Sequence, residues 1–201
     1  ETQSLCKELT AEGAAQLQTV VADLNEPLKV SWFQPSPFVE LLADTLREWC
    51  HAEISMVNSG VLLESLPAGK VTKEDLHRIC PHPINPCKLK LSGSELREMI
   101  RQSLTDDMRH LEVKGLGFRG KVLGEIVFVG IDIETVDGKL RSAKVAGQPL
   151  DSDREYDVAT LDMFTFGKIF PGLVEKEKQY FLPEMLRDIL ARKLSSLSPQ
   201  I

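Results

Sequence analysis

The sequence predicts an α+β fold: a single domain with a mixed β-sheet and packed helices. Three observations carry that expectation. Apolar residues recur at helical spacing in capped segments, with stripes at Phe38–Cys50, Leu96–Leu111 and Leu186–Leu197. Short apolar runs bounded by turn residues alternate with those segments, as at Ile54–Val57 and Tyr156–Leu161. Asp137-Gly138, set between two alternating runs, marks a tight antiparallel hairpin. A hairpin among strands that are otherwise separated by helices favours a mixed sheet over a doubly wound parallel one. With 201 residues and 42% apolar content, the chain can bury one real core.

Taken in order, Leu17, Val20, Val21 and Leu24 are spaced as one face of a helix over Thr10–Leu24, which Pro27 stops. Leu28–Phe33 reads as a short strand broken by Pro35 and Pro37. Ser36 then caps a helix with Pro37 at its first position, and Phe38, Leu41, Leu42, Leu46, Trp49 and Cys50 form its apolar face. Thr72 with Asp75 makes a capping box for a helix reaching Ile79, and Lys88–Leu91 returns as a strand. Ser92-Gly93-Ser94 caps the next helix, with Leu96, Met99, Ile100, Leu104, Met108 and Leu111 as its stripe. Ile126–Val136 and Lys139–Val145 flank the hairpin turn, and Pro183 opens the last helix.

A net charge of -6 without any basic run excludes a surface that tracks the phosphates of a nucleic acid polymer, which needs clustered lysine and arginine. No run of about 18 apolar residues offers a membrane span. Cys6, Cys50, Cys80 and Cys87 are too few and too irregular for a secreted disulfide scaffold, so a reducing, cytoplasmic setting is expected. Cys80 and Cys87 are close enough in sequence that thiols and a bridge both remain open. The chain starts on Glu1, not methionine, which suggests a mature chain or an excised piece.

No catalytic engine is visible. Gly115-Leu116-Gly117-Phe118-Arg119-Gly120 matches the dinucleotide fingerprint in letters only, because here a helix precedes and a strand follows; a flexible connection is expected. Cys80, His82 and Cys87 are three potential zinc ligands where four are wanted, in a loop stiffened by Pro81, Pro83 and Pro86. Asp106, Asp107 and His110 fit a solvated helix face, and Asp151, Asp153 and Glu155 fit a turn, since a calcium loop would need a glycine and a distant glutamate. What remains is a binding constellation. Asn58, at a strand end, can donate and accept with one amide, as the edge of a heterocycle requires, and Phe164, Phe166 and Phe170 could form a flat wall beside it. The bland reading of the same residues is a turn and a core.

The order of Val57-Asn58-Ser59-Gly60, Leu66-Pro67-Ala68-Gly69-Lys70-Val71-Thr72, Cys80-Pro81-His82 and Leu91-Ser92-Gly93-Ser94-Glu95-Leu96 resembles the carboxy-terminal domain of 5′-nucleotidases. Val145–Leu150, Tyr156–Thr160 and Met163-Phe164 extend the likeness, which covers about residues 28 to 195. The resemblance implies a domain that holds a nucleotide base between two rings and presents it to a separate amino-terminal metallophosphatase domain carrying a pair of divalent metals. On that basis Asn58, Gly60, His82, Phe164 and Phe166 are the expected substrate-binding residues, with His82 and Phe164 in the two ring positions and no cofactor in this chain. Residues 1–27 are then expected to connect to the catalytic domain and residues 28–201 to form the binding domain, inactive alone. The departures from the family pattern lie in the ligand-binding positions. Leu63 replaces an arginine, Val61 a glycine, Trp32 and Gln34 stand where arginines are common, and the loop after Phe164 lacks the Gly-Gly-Asp run. Losing an arginine removes five donors and a charge, so a decayed pocket that leaves only a scaffold or interaction role is the competing expectation.

Overall fold

The computed structural model describes residue 13 and residues 15–198. Its centre is a five-stranded sheet made of β2 Ile54–Asn58, β4 Pro86–Ser92, β5 Ile126–Val129, β9 Glu155–Leu161 and β10 Lys178–Tyr180, in the spatial order β10-β4-β9-β2-β5. β2 runs parallel to β9, and the remaining pairings are antiparallel, so the sheet is mixed as expected. All five residues of β2 are buried, which is why that strand reads as an unbroken run instead of an alternation. Two small antiparallel sheets flank it: β1 Val20–Leu24 with β3 Gly69–Thr72, and β6 Asp132–Val136, β7 Lys139–Val145 and β8 Gln148–Pro149.

Helix α1, Pro37–Trp49, packs on β2 and β5. Phe38, Leu42, Leu46 and the following Cys50 are completely buried, while Trp49 is half-buried beneath the Arg192 guanidinium, 4.8 Å from its ring centre. Ser36 stands at the N-cap but makes no capping bond; its hydroxyl donates to the Lys29 carbonyl and accepts from the Ser31 N–H. Helices α2, Lys73–Ile79, and α3, Gly93–Ser103, each start with a complete capping box, Thr72 with Asp75 and Ser92 with Glu95. A short α4, Asp106–Arg109, follows, and α5, Leu186–Leu197, lies against α1 and β1. Thr72→Ala should destabilise the domain by about 1 kcal/mol, because the Asp75 N–H then loses its acceptor. A urea midpoint would register that loss.

Several expected boundaries are corrected. Of the helix expected over Thr10–Leu24, residues 10–12 and 14 lie outside the described residues, 15–17 are helical, and Val20–Leu24 is a strand. Two adjacent β-branched residues and a partner in β3 outweigh the helical spacing there. The strand expected over Leu28–Phe33 is a single bridge, Leu28 to Leu66. Beyond it the backbone bonds to side chains instead, with the Val30 N–H donating to the Ser65 hydroxyl. Ile126–Val136 is two strands, split at Gly130 (φ +85°), where a Cβ would meet the Glu53 carbonyl oxygen at 2.1 Å. The last helix begins at Leu186, three residues after Pro183. The Asp137-Gly138 turn has positive φ at both residues, as the hairpin signal requires.

Candidate functional site

β2 delivers Asn58 into the core at its carboxyl end, where a turn formed by Ser59, Gly60 and Val61 follows. The Asn58 Nδ2 donates to the Leu123 carbonyl at 2.8 Å, while its Oδ1 is buried without a partner. The Ser59 N–H donates to the Glu125 carbonyl and the Gly60 N–H to the Leu123 carbonyl. Residues 120–125 therefore lie directly across the turn. The approach is so close that a Cβ on Gly60 would sit 2.1 Å from the Val122 carbonyl oxygen, a separation no side chain tolerates.

His82, in the proline-rich loop after α2, is fully buried. Its Nδ1 accepts from the Arg119 N–H at 2.9 Å, which leaves Nε2 as the protonated nitrogen, donating to the Val61 carbonyl at 2.8 Å. Burial depresses its pKa to about 4; the Val61 carbonyl opposes that shift, and the Arg119 and Arg187 charges add to it. The imidazole is thus neutral, with both nitrogens committed inside the protein. One of its faces is covered as well. The Phe118 ring lies 5.2 Å from it, centre to centre, at 17°. Phe118 is itself 4% exposed, and Gly120 carries no side chain because a Cβ there would come within 2.3 Å of the Phe118 ring.

The structure gathers Asn58, Gly60 and His82 around the 115–125 segment. Phe164 is fully buried and meets Phe170 edge-on, centres 5.3 Å apart. Phe166 alone of the five expected residues is open, at 51%. Beside Phe164, the Asp162 Oδ2 accepts from the Asn85 N–H, its Oδ1 is buried without a partner, and burial raises its pKa. Among the described residues no three His, Cys, Asp or Glu side chains form a group able to hold a metal, so Cys80, His82 and Cys87 do not meet as ligands. Cys50, Cys80 and Cys87 are free thiols, which burial pushes up to about 12. His110 bonds the Asp106 carbonyl through Nδ1 and stacks on Phe33 at 4.8 Å, so it forms no unit with the aspartate side chains.

Sequence reasoning missed Phe118 and Arg119, the two residues that close over His82. The available signal was Gly117 and Gly120 flanking a lone aromatic. Glycines on both sides of a bulky ring mark a backbone pressed against other backbone, and Gly117 (φ +77°) passes so near Pro83 that a Cβ would be 2.8 Å from its carbonyl oxygen.

Residues 16–172 match the family model described as 5′-nucleotidase, C-terminal domain. The chain belongs to this family. Among curated relatives of this 5′-nucleotidase C-terminal domain, the metallophosphoesterase YunD of Bacillus subtilis (strain 168) is 47% identical over 201 residues, covering 97% of this chain and 44% of YunD. Protein UshA of Yersinia enterocolitica is 24% identical over 165 residues, 78% of this chain and 27% of UshA. The chain therefore spans less than half the length of either. Among solved structures, a 5′-nucleotidase precursor from Thermus thermophilus superposes with a TM-score of 0.75 at 16% identity, over 98% of this chain and 40% of that one. The NAD nucleotidase of Haemophilus influenzae gives a TM-score of 0.73 at 17% identity, over 97% and 38%. At such identities the structural matches establish that the 5′-nucleotidase C-terminal domain has the fold described above.

Proposed function

We propose that this chain is the carboxy-terminal domain of a two-domain 5′-nucleotidase-like phosphoesterase. Hydrolysis of nucleotides or related phosphate monoesters then belongs to an amino-terminal domain with a pair of divalent metals. Here the carboxy-terminal domain serves as a scaffold for that half, its own ring seat being filled from within. The observation that carries the reading is the Phe118 ring lying parallel to His82, in a histidine that exposes no surface. A ligand ring would have to displace Phe118 and also break the Arg119–His82 bond. Leu63 supplies none of the donors or charge with which an arginine would offset that cost.

One observation favours the second reading, in which the domain recognises the base. The Asn58 Oδ1 is a buried acceptor left without a partner, and a ring carrying an N–H could satisfy it once the 115–125 segment had moved aside. Thermal unfolding of the chain with adenosine, guanosine, uridine and their monophosphates separates the two. A ligand at 100 times its Kd adds about 2.7 kcal/mol, which at about 2–4 °C per kcal/mol for a domain of this size is a rise of about 5–10 °C. No shift is expected for any of them. A saturable rise that Asn58→Ala abolishes would establish base recognition instead.

A further inference from the structure

A cleft of about 280 Å³ opens between the helical residues 15–17 and helices α2 and α5. Four polar side chains line it: Lys73 and His77 from α2, and Arg187 and Asp188 from the first turn of α5. The two cations are left uncompensated. The Arg187 guanidinium donates only to neutral acceptors, the His82 carbonyl at 3.4 Å and the Met185 Sδ at 3.0 Å. Neither Arg187 nor Lys73 forms an ion pair among the described residues, whereas Arg78 of α2 is paired with Glu64 and Asp75, and Arg192 of α5 with Glu184. In a chain of net charge -6, carboxylates are plentiful, yet none closes on either cation. The His77 ring also has no hydrogen-bond partner among the described residues. Burial lowers its pKa and the Arg187 charge lowers it further, while Asp188 opposes the shift, so the ring is neutral at pH 7. Asp188 accepts from the Met185 N–H with Oδ2 at 2.8 Å, and its Oδ1 is open to the cleft.

Converging polar groups that find no partner in the protein are the mark of a ligand site. Two cations against one carboxylate, with the histidine neutral, leave the cleft one net positive charge, which selects an anion. A guanidinium matches paired oxyanion oxygens with its fork and an ammonium adds a point charge, the combination that suits phosphate. The carboxylate narrows the choice. Asp188 Oδ1 can only accept, so an anion set against it needs an O–H of its own. Sulfate and the dianion of a phosphate ester have none; hydrogen phosphate has one. We propose that this cleft binds inorganic hydrogen phosphate, with Lys73 and Arg187 meeting its charge, the His77 ring donating to one oxygen and Asp188 Oδ1 accepting from its O–H. The site is separate from any metal-dependent hydrolysis, and the inference goes beyond the scaffold reading above.

The test is a titration of the 201-residue chain with sodium phosphate, followed at the His77 ring protons by NMR in chloride of matched ionic strength. Among the described residues no metal-holding group competes for the anion. Saturation is expected in the low millimolar range. The bound anion favours the imidazolium, so the His77 titration midpoint should rise by roughly half a unit or more. Lys73→Gln, an exposed change that leaves the fold alone, should weaken binding about fivefold, as loss of one exposed charge contact does. Sulfate and glycerol 3-phosphate at pH 8 should bind more weakly than phosphate to the wild type. Asp188→Asn keeps an acceptor for the Met185 N–H and adds a donor towards the cleft, so it should bind sulfate as tightly as phosphate. No saturable shift of His77 at about 50 mM phosphate would overturn the proposal. So would a dissociation constant unchanged by Lys73→Gln, or sulfate binding the wild type as tightly as phosphate.

Discussion

Phe118→Ala should lower the stability of the domain by about 3–5 kcal/mol. The ring is 4% exposed, and deleting it removes apolar burial and leaves a cavity that the surrounding backbone cannot collapse to fill. Collapse is blocked because both sides of the ring are fixed. His82 is held by two main-chain bonds, and residues 122–125 are tied to the Asn58 turn by three more. The urea midpoint should fall with the slope unchanged, which separates a lost contact from a changed unfolded state. Phe118→Leu, which keeps most of the volume but not the flat shape, should lose less than half as much.

The same variant tests what the ring was doing. A seat vacated by Phe118 is apolar, walled on one side by the imidazole, and the Asn58 Oδ1 lies in the turn that the 115–125 segment crosses. Benzene or indole should raise the melting point of Phe118→Ala and leave the wild type unaffected, as apolar cavities commonly accept small rings. If adenosine does so too, the ring seat survives under its plug. If benzene stabilises and adenosine does not, the seat has lost its polar recognition as well. A wild type that gains as much as the variant would show that Phe118 does not occupy the seat.

What the sequence made legible, and what it did not, follows from the reach of each signal. The capping boxes at Thr72 and Ser92 and the Asp137-Gly138 turn are complete within four residues, so they were readable without knowing any partner. The spacing of Val20–Leu24 satisfies a helical stripe, and only the β3 strand, tens of residues away, makes it a strand. The surroundings of the candidate site were illegible for the same reason on a larger scale. Asn58, Gly60 and His82 were recognised by motif and do come together, yet what they face is Phe118, Arg119 and Leu123, which no local pattern links to them. Burial of an aromatic by a distant loop leaves no periodicity. Only the paired glycines at 117 and 120 hinted at it.

Acidification should expose the cost of keeping His82 neutral. In the unfolded chain an imidazole titrates near pH 6.5, whereas in the folded domain burial holds His82 to about 4. Between these values the unfolded state takes up a proton that the folded state refuses. The His82 contribution is therefore fully present above pH 6.5 and is lost as the pH falls towards 4, by roughly 3 kcal/mol in all. The Arg119 and Arg187 guanidinium charges reinforce this sign by further disfavouring an imidazolium, while the Val61 carbonyl opposes it. Asp162 acts oppositely: burial raises its pKa, so the folded carboxyl binds a proton sooner than the unfolded one and acidification relieves part of its burial cost. The two are separable with His82→Gln, which retains a donor and an acceptor but cannot titrate. Urea unfolding at half-unit steps from pH 7.5 to 4.5 should give a wild-type curve that drops steeply below pH 6.5 and a His82→Gln curve that lacks that drop. Parallel curves would mean that His82 takes up its proton over the same pH range in the folded and the unfolded chain, and that the Arg119 N–H does not hold its Nδ1.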